Sequence, residues 1–406
     1  MTKINIANSM PQVKAFLSSF GQSILSLSFN FGGLLAGSLA VYFSVFSLAP
    51  WAIALFPGIL SVRGSIGGLF SGHLSTELHL GTIKASYTKN TESFYTLLRS
   101  VIVLSFISGL MLALGASIFG SFMWDATVVD FVEILAVTMA TMALSVLFVP
   151  RITLAVSVFA SKRGLDPDVI LYPAISTIAD IFVTACYAIV LTVFFYLNFL
   201  GYYIIWIINF AFLAVTLYLL VKNFRNEEFA KTIKEFLLTL VIVTFIVNVT
   251  GSILVKVEQA IGNRPEVYTV YPALIDTVGD VGSIIGSTAT TKLALGLITP
   301  KFSSIKHHIN EIGGAWLASI ILFLSYTLLS SFINGITSLE SILLFSTQLI
   351  TINILAVTIM LFIAYAVSIY TFRRGWNPDN FVIPIESTMA DTVTTAAVLI
   401  ALIFIA

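Results

Sequence analysis

Read from its N-terminus, the chain is a succession of apolar runs of 18 or more residues, each closed by charges or turn formers. Runs of that length read as membrane-crossing helices. Eleven are predicted, at 15–46, 49–82, 97–122, 128–160, 168–198, 201–222, 232–256, 268–299, 310–334, 338–370 and 379–405. Several exceed the roughly 20 residues that a crossing needs, so tilted, broken or overhanging helices are expected. The stretch after Lys14 is too long for a signal-peptide core and lacks a small-residue cleavage site, so it is read as the first span.

Polar positions inside these runs recur. Residues 163–180, RGLDPDVILYPAISTIAD, match residues 374–391, RGWNPDNFVIPIESTMAD, at nine of eighteen positions with an offset of 211. A second match at offset 215 sets Pro57 on Pro272, Gly64 and Gly67 on Gly279 and Gly282, and Thr76 on Thr291. The repeat is therefore five spans long, 1–5 and 7–11, with span six as a linker. An odd repeat plus one linker span sets both halves the same way up, so the predicted fold is an all-α polytopic membrane protein whose pseudo-twofold axis follows the membrane normal. The expected division is a short N-terminus (1–14), a first repeat (15–200), a linker helix and loop (201–230) and a second repeat (231–406).

Composition sharpens this. Of 406 residues, 58% are hydrophobic and only 10% charged, with zero net charge, which suits a bilayer and excludes nucleic acid as a partner. The lone cysteine, Cys186, leaves the redox compartment open. With the N-terminus inside, fifteen lysines and arginines fall on cytoplasmic connectors and only Lys256 and Arg264 outside. That bias predicts a cytoplasmic N-terminus and an outside C-terminus in a cell membrane.

Spans two and eight are expected to be discontinuous. As one helix, the 34 residues of span two would run about 51 Å across a hydrocarbon core of roughly 30 Å, and Pro57, Gly64 and Gly67, with Pro272, Gly279 and Gly282, offer places to open. Small residues also let helices pack closely, so the glycines have a packing explanation beside a gating one.

The candidate chemistry lies on spans five and eleven. Ser176, Thr177 and Asp180 form one polar stripe with Pro173 and Thr184, and Ser387, Thr388 and Asp391 repeat it with Pro384 and Thr395. A carboxylate in hydrocarbon costs about 2.5–3.5 kcal/mol or more unless paired, so an aspartate found twice in register marks a functional site. Oxygen-only surroundings suit a hard cation, and Mg²⁺ keeps several waters and needs only one or two carboxylates. Asp276 and Asp280 stand a turn apart on span eight, where the first half has Ser61 and Ser65. They serve the cation or a salt bridge to Arg63. Glu386 lies about 140° round its helix from Asp391, toward a different wall or a helix contact. Glu77 and Lys292 read as snorkelling residues, and Asp168 and Asp379 as helix caps or an inner vestibule.

These repeats resemble the MgtE and solute-carrier 41 family of divalent-cation transport proteins. The resemblance rests on Asp166, Pro167 and Asp168 followed by Pro173 and Asp180, on the copy from Asn377 to Asp391, and on the glycine-rich run ending HLSTELHLG in span two. It implies a Mg²⁺-preferring pathway in which Asp180 and Asp391 hold the central cation. MgtE is similar to one half and works as a homodimer, so this chain resembles that dimer fused, and a fused pseudo-dimer can act alone. Ser65 and Asp280 stand where the family often has Asn after Gly. No counterpart of MgtE's cytosolic sensor domains is expected, which leaves any Mg²⁺-dependent gating to the membrane part or the short loops. The expected function is transport of Mg²⁺ or a related divalent cation, in a lipid bilayer. The alternatives are an H⁺- or Na⁺-coupled transporter of another solute and an intramembrane aspartyl protease, against which residues 277–280 read Thr-Val-Gly-Asp rather than Gly-x-Gly-Asp.

Overall fold

The computed structural model describes residues 6–43, 48–80, 82–84, 86, 89–162, 167–262, 264–374 and 379–405, and among them no strand occurs. The first span is α1 (Ile6–Leu27), a 3-10 turn (Ser28–Asn30) and α2 (Phe31–Tyr42). Then come α3 (Pro50–Leu80), α4 (Glu92–Met123), α5 (Val128–Lys162), α6 (Pro167–Tyr196) and α7 (Asn198–Asn223). The second half holds α8 (Glu227–Ile261), α9 (Pro265–Ala294), a 3-10 turn (Phe302–His307), α10 (Ile309–Ile333), α11 (Leu339–Arg373) and α12 (Asp379–Phe404).

Ten of these stretches, with α1 and α2 forming one, are long and apolar enough to cross a membrane. The eleventh expected span forms α9, but Asp276, Asp280, Lys292 and its threonines make it too polar to count on apolarity alone. It is helical because local signals agree. Pro265 opens it where no backbone donor is needed, and Arg264 pairs with Glu266 at 2.6 Å beside the first turn. α8 starts equally clearly, with the Asn226 side chain accepting from the Phe229 amide at 3.1 Å, and it ends on Gly262, whose φ of +67° a larger residue resists.

The expectation that spans two and eight are broken is corrected. α3 runs unbroken for 31 residues through Pro57 and Gly64, and α9 for 30 through Pro272 and Gly279. A proline inside a helix removes one backbone bond, and in hydrocarbon a neighbour that covers the freed carbonyl makes a bend preferable to an open break. Pro272 frees the Tyr268 carbonyl, and the α2 backbone supplies the cover. A Cβ built on Gly37 would lie 2.7 Å from that oxygen and 2.1 Å from the Thr269 oxygen. The true interruption is in the first span, at Ser28–Asn30.

The chain forms two compact units, residues 1–34 with 270–406 and residues 35–269. In the first, α1 packs along α10, and α11 packs on α10 and α12. The α1–α10 contact is backbone close, because a Cβ on Gly314 would meet the Phe20 nitrogen at 2.8 Å. In the second, α3 is the buried centre, with Trp51 to Leu60 all inside and α4, α5, α6 and α8 around it. Gly251 of α8 lies against Ala54 of α3, where a Cβ would come within 2.0 Å of the carbonyl oxygen. This resembles the Gly37–Thr269 crossing: at offset 215, position 54 corresponds to 269 and 37 to 252, the neighbour of Gly251. The first helix of each sequence repeat thus crosses the second helix of the other repeat.

α7 is the least buried crossing. Ile207, Phe210, Leu217 and Val221 face outward, as a lipid-facing helix requires, while the Asn209 amide donates to the Ala136 carbonyl at 3.0 Å and ties α7 to α5.

Candidate cation site

On α12 the polar stripe survives as a buried one. Asp391 is 7% exposed, Thr388, Thr394 and Thr395 are buried, and Ser387 is half-buried. The Thr395 hydroxyl bonds the Asp391 carbonyl at 2.5 Å and the Tyr271 hydroxyl at 2.7 Å, so α9 and α12 share one hydroxyl chain beside the aspartate. Gly279 and Gly282 bring these helices together. A Cβ on Gly279 would meet Ala390 at 3.4 Å and the Ser387 Cα at 4.0 Å, and one on Gly282 would meet Met360 at 3.1 Å and the Glu386 Cβ at 3.9 Å. Both glycines therefore have a packing role. They bring the stretch bearing Asp276 and Asp280 against the stretch bearing Glu386 to Asp391.

Asp280 is held by a residue that sequence reasoning missed. The Asn30 amide, at the break between α1 and α2, donates to Asp280 Oδ2 at 2.9 Å and to Thr277 Oγ1 at 3.3 Å. The Thr277 hydroxyl then meets the Tyr326 hydroxyl at 2.9 Å, and the Tyr326 ring stands edge-on to Phe31. Asn30 is 2% exposed, and a polar residue in the middle of the first apolar run was the available signal.

Glu386 is fully buried beside Ser283, and neither of its carboxylate oxygens makes a hydrogen bond of ordinary geometry among the described residues. The first repeat has Ile175 at the corresponding position.

The other stripe belongs to the second unit. On α6, Asp180 is 6% exposed, Thr177 and Thr184 are buried and Ser176 is half-buried. The Tyr187 hydroxyl, donating to the Ala52 carbonyl at 2.7 Å, fixes α6 against α3. Gly64 and Gly67 differ from their counterparts: a Cβ on either meets nothing within 4 Å among the described residues. Arg63 is buried inside the same unit, where its Nη1 donates to the Ser105 hydroxyl at 2.7 Å, so its guanidinium has a partner other than Asp276 or Asp280.

Lys292, read as a snorkelling residue, pairs with Glu311 at 2.6 Å. Asp168 and Asp379 occupy the first turns of α6 and α12, as caps do, but their side chains lie outside the described residues, as do Asp166 and residues 375–378. Among the described residues no three His, Cys, Asp or Glu side chains gather as a metal cage. A cation that keeps its water shell does not need one.

A comparison with family models matches MgtE, described as a divalent cation transporter, at residues 56–190 and again at 271–401. The two matches start 215 residues apart and end 211 apart, the offsets of the internal repeats, and they leave out the first helix of each half. No curated protein and no solved structure matches. Matched twice, over well more than half its length, this chain belongs to the MgtE family of divalent cation transporters.

Proposed function

We propose that the chain carries Mg²⁺, or a divalent cation of similar hydration, across the cell membrane along a pathway between the two repeats, with Asp180 and Asp391 as its central carboxylates. The observation that carries this reading is the doubled stripe. Two aspartates at matching repeat positions, 6% and 7% exposed and each one helical turn from a buried threonine, are retained in a region of bilayer depth. A carboxylate is costly to hold there, and two of them match the charge of one divalent ion.

Because Mg²⁺ sheds water reluctantly, the hydroxyls of Ser176, Thr177, Ser387 and Thr388 are suited to accept hydrogen bonds from its waters while the carboxylates balance its charge. Asp276 and Asp280 add a second pair on α9, and Asn30 holds one oxygen of that pair. The charge bias of the connectors sets the N-terminus in the cytoplasm. A fused pair of repeats acts as a monomer in this reading.

The test is Mg²⁺ entry into liposomes that hold the purified protein and a Mg²⁺-sensitive dye. Flux above empty liposomes, unchanged by added Na⁺ or pH gradients, supports a channel-like pathway. Flux that follows one of those gradients supports coupled exchange, and silence toward Mg²⁺, Mn²⁺, Co²⁺ and Ca²⁺ in both directions overturns the proposal.

A further inference from the structure

Away from these stripes, the second unit has a cavity of about 520 Å³ between α4, α5 and α7. Its walls are apolar, with Leu98, Ile102, Leu144, Leu154 and Phe212 among them. Two cationic side chains also line it, Lys89 and Arg151, and both are solvent- or lipid-exposed.

The depth of these groups follows from helix geometry. α5 starts at Val128, and Arg151 comes 23 residues later, about 34 Å along the axis, close to the roughly 30 Å of a hydrocarbon core. The guanidinium is therefore at the boundary opposite Val128. Lys89 precedes α4, the antiparallel neighbour of α5, and so lies toward that same side of the membrane. Ile102, Leu144 and Phe212 lie deeper, beside acyl chains, while Leu98 and Leu154 stand level with Arg151 or beyond it.

Both cations are placed by local structure. The Lys89 backbone has a φ of +55°, in a loop stapled by its neighbour Asn90. The Asn90 amide donates to the carbonyls of Lys84 at 3.0 Å and Ser86 at 3.3 Å, while its oxygen accepts from the amides of Lys84 at 3.0 Å and Thr91 at 2.9 Å. Arg151 Nη1 donates to the carbonyl of Leu147, itself a lining residue, which folds the guanidinium back over the groove. Among the described residues neither cation has a carboxylate partner.

An apolar slot at acyl-chain depth, with two unpaired cations at its headgroup-level mouth, is complementary to one class of ligand. We propose that this groove binds an anionic glycerophospholipid, with one acyl chain along α4, α5 and α7 and the phosphate between Lys89 and Arg151. The site is separate from the aspartate stripes, and the proposal stands whether or not Mg²⁺ is the transported ion.

The test is native mass spectrometry of the full chain in mild detergent, with phosphatidylglycerol and phosphatidylcholine of identical acyl chains added in equal amounts. Wild type should retain phosphatidylglycerol at least about fivefold over phosphatidylcholine, and Lys89→Gln with Arg151→Gln should bring the ratio close to one. Ala211→Trp, which fills the slot and keeps both charges, should lose the bound lipid. Equal retention of both lipids by wild type overturns the proposal. So does an undiminished preference in the double variant, unchanged binding in Ala211→Trp, or displacement of the lipid by millimolar inorganic phosphate. Elution volume and helical content, unchanged in both variants, establish that the readout concerns folded protein.

Discussion

The Asn30 amide donates to Asp280 Oδ2 at 2.9 Å, across 250 residues of sequence, from the one interruption in the first span to the acidic face of α9. A 3-10 turn inside hydrocarbon is tolerated only where protein satisfies its polar groups. Here Asn30 turns the break into an anchor, joining α1, α9 and, through Thr277 and Tyr326, α10.

Replacing Asn30 by Ala removes a hydrogen bond to a charged group, worth about 1.5–3 kcal/mol. The expected result is a lower midpoint of thermal unfolding in detergent. Asn30→Asp sets a second carboxylate against Asp280 and should destabilise more, and added Mg²⁺ should recover part of the loss because a cation that binds only the folded state stabilises it. An Asn30→Ala variant as stable as wild type contradicts the anchoring role.

Glycines of the two repeats should separate by what surrounds them. Gly37→Val and Gly251→Val drive a side chain into a neighbouring carbonyl, where even a Cβ would come within 2.1 Å and 2.0 Å, so neither variant should yield folded protein. Gly64→Ala meets no described atom within 4 Å and should fold with a helical content like that of wild type. Size-exclusion profiles of the three variants check this directly.

At Glu386 the two halves disagree, with Ile175 in the first and a fully buried carboxylate in the second. A buried polar group left without a hydrogen bond costs about 1–3 kcal/mol, which a well-packed apolar side chain does not incur. Glu386→Ile should raise the unfolding midpoint in cation-free buffer. A large drop instead points to a partner for this carboxylate.

His308, at the boundary just before α10, is fully buried, and burial lowers its pKa from the ordinary 6.5 to about 4. The unfolded chain therefore binds more protons than the folded one between pH 4 and 6.5, and folding stability from this group is lost as pH falls through that window. The loss is at most about 3–4 kcal/mol. His308→Phe should flatten the fall of the unfolding midpoint between pH 7 and pH 4.5, while a slope equal to that of wild type excludes this histidine as its source.

How far the fold and site were legible in the sequence differs from feature to feature. Asp180 and Asp391 stood out because a carboxylate in a 20-residue apolar run is costly and because the copies align. Their burial on α6 and α12 follows that reading. Pro57 and Pro272 misled, since the cost of a missing amide depends on whether a neighbouring backbone covers the freed carbonyl, and Gly37 does this for α9. Asn30 escaped notice because the second repeat has no copy of it: at offset 215 the corresponding residue is Phe245. The crossing of α8 over α3, through Gly251 and Ala54, was also hidden. Two similar repeats offer each first helix two equivalent partners, and local pattern does not choose between them.

The most direct measurement compares Mg²⁺ flux into liposomes for wild type, Asp180→Asn and Asp391→Asn, each reconstituted at equal density and checked for unchanged thermal unfolding. Asparagine keeps the shape but removes the charge that the proposed site presents to a divalent ion. The account predicts that each variant alone loses at least about tenfold in flux, since a site made of two matching carboxylates is left with half its charge. Flux equal to that of wild type in both folded variants contradicts it.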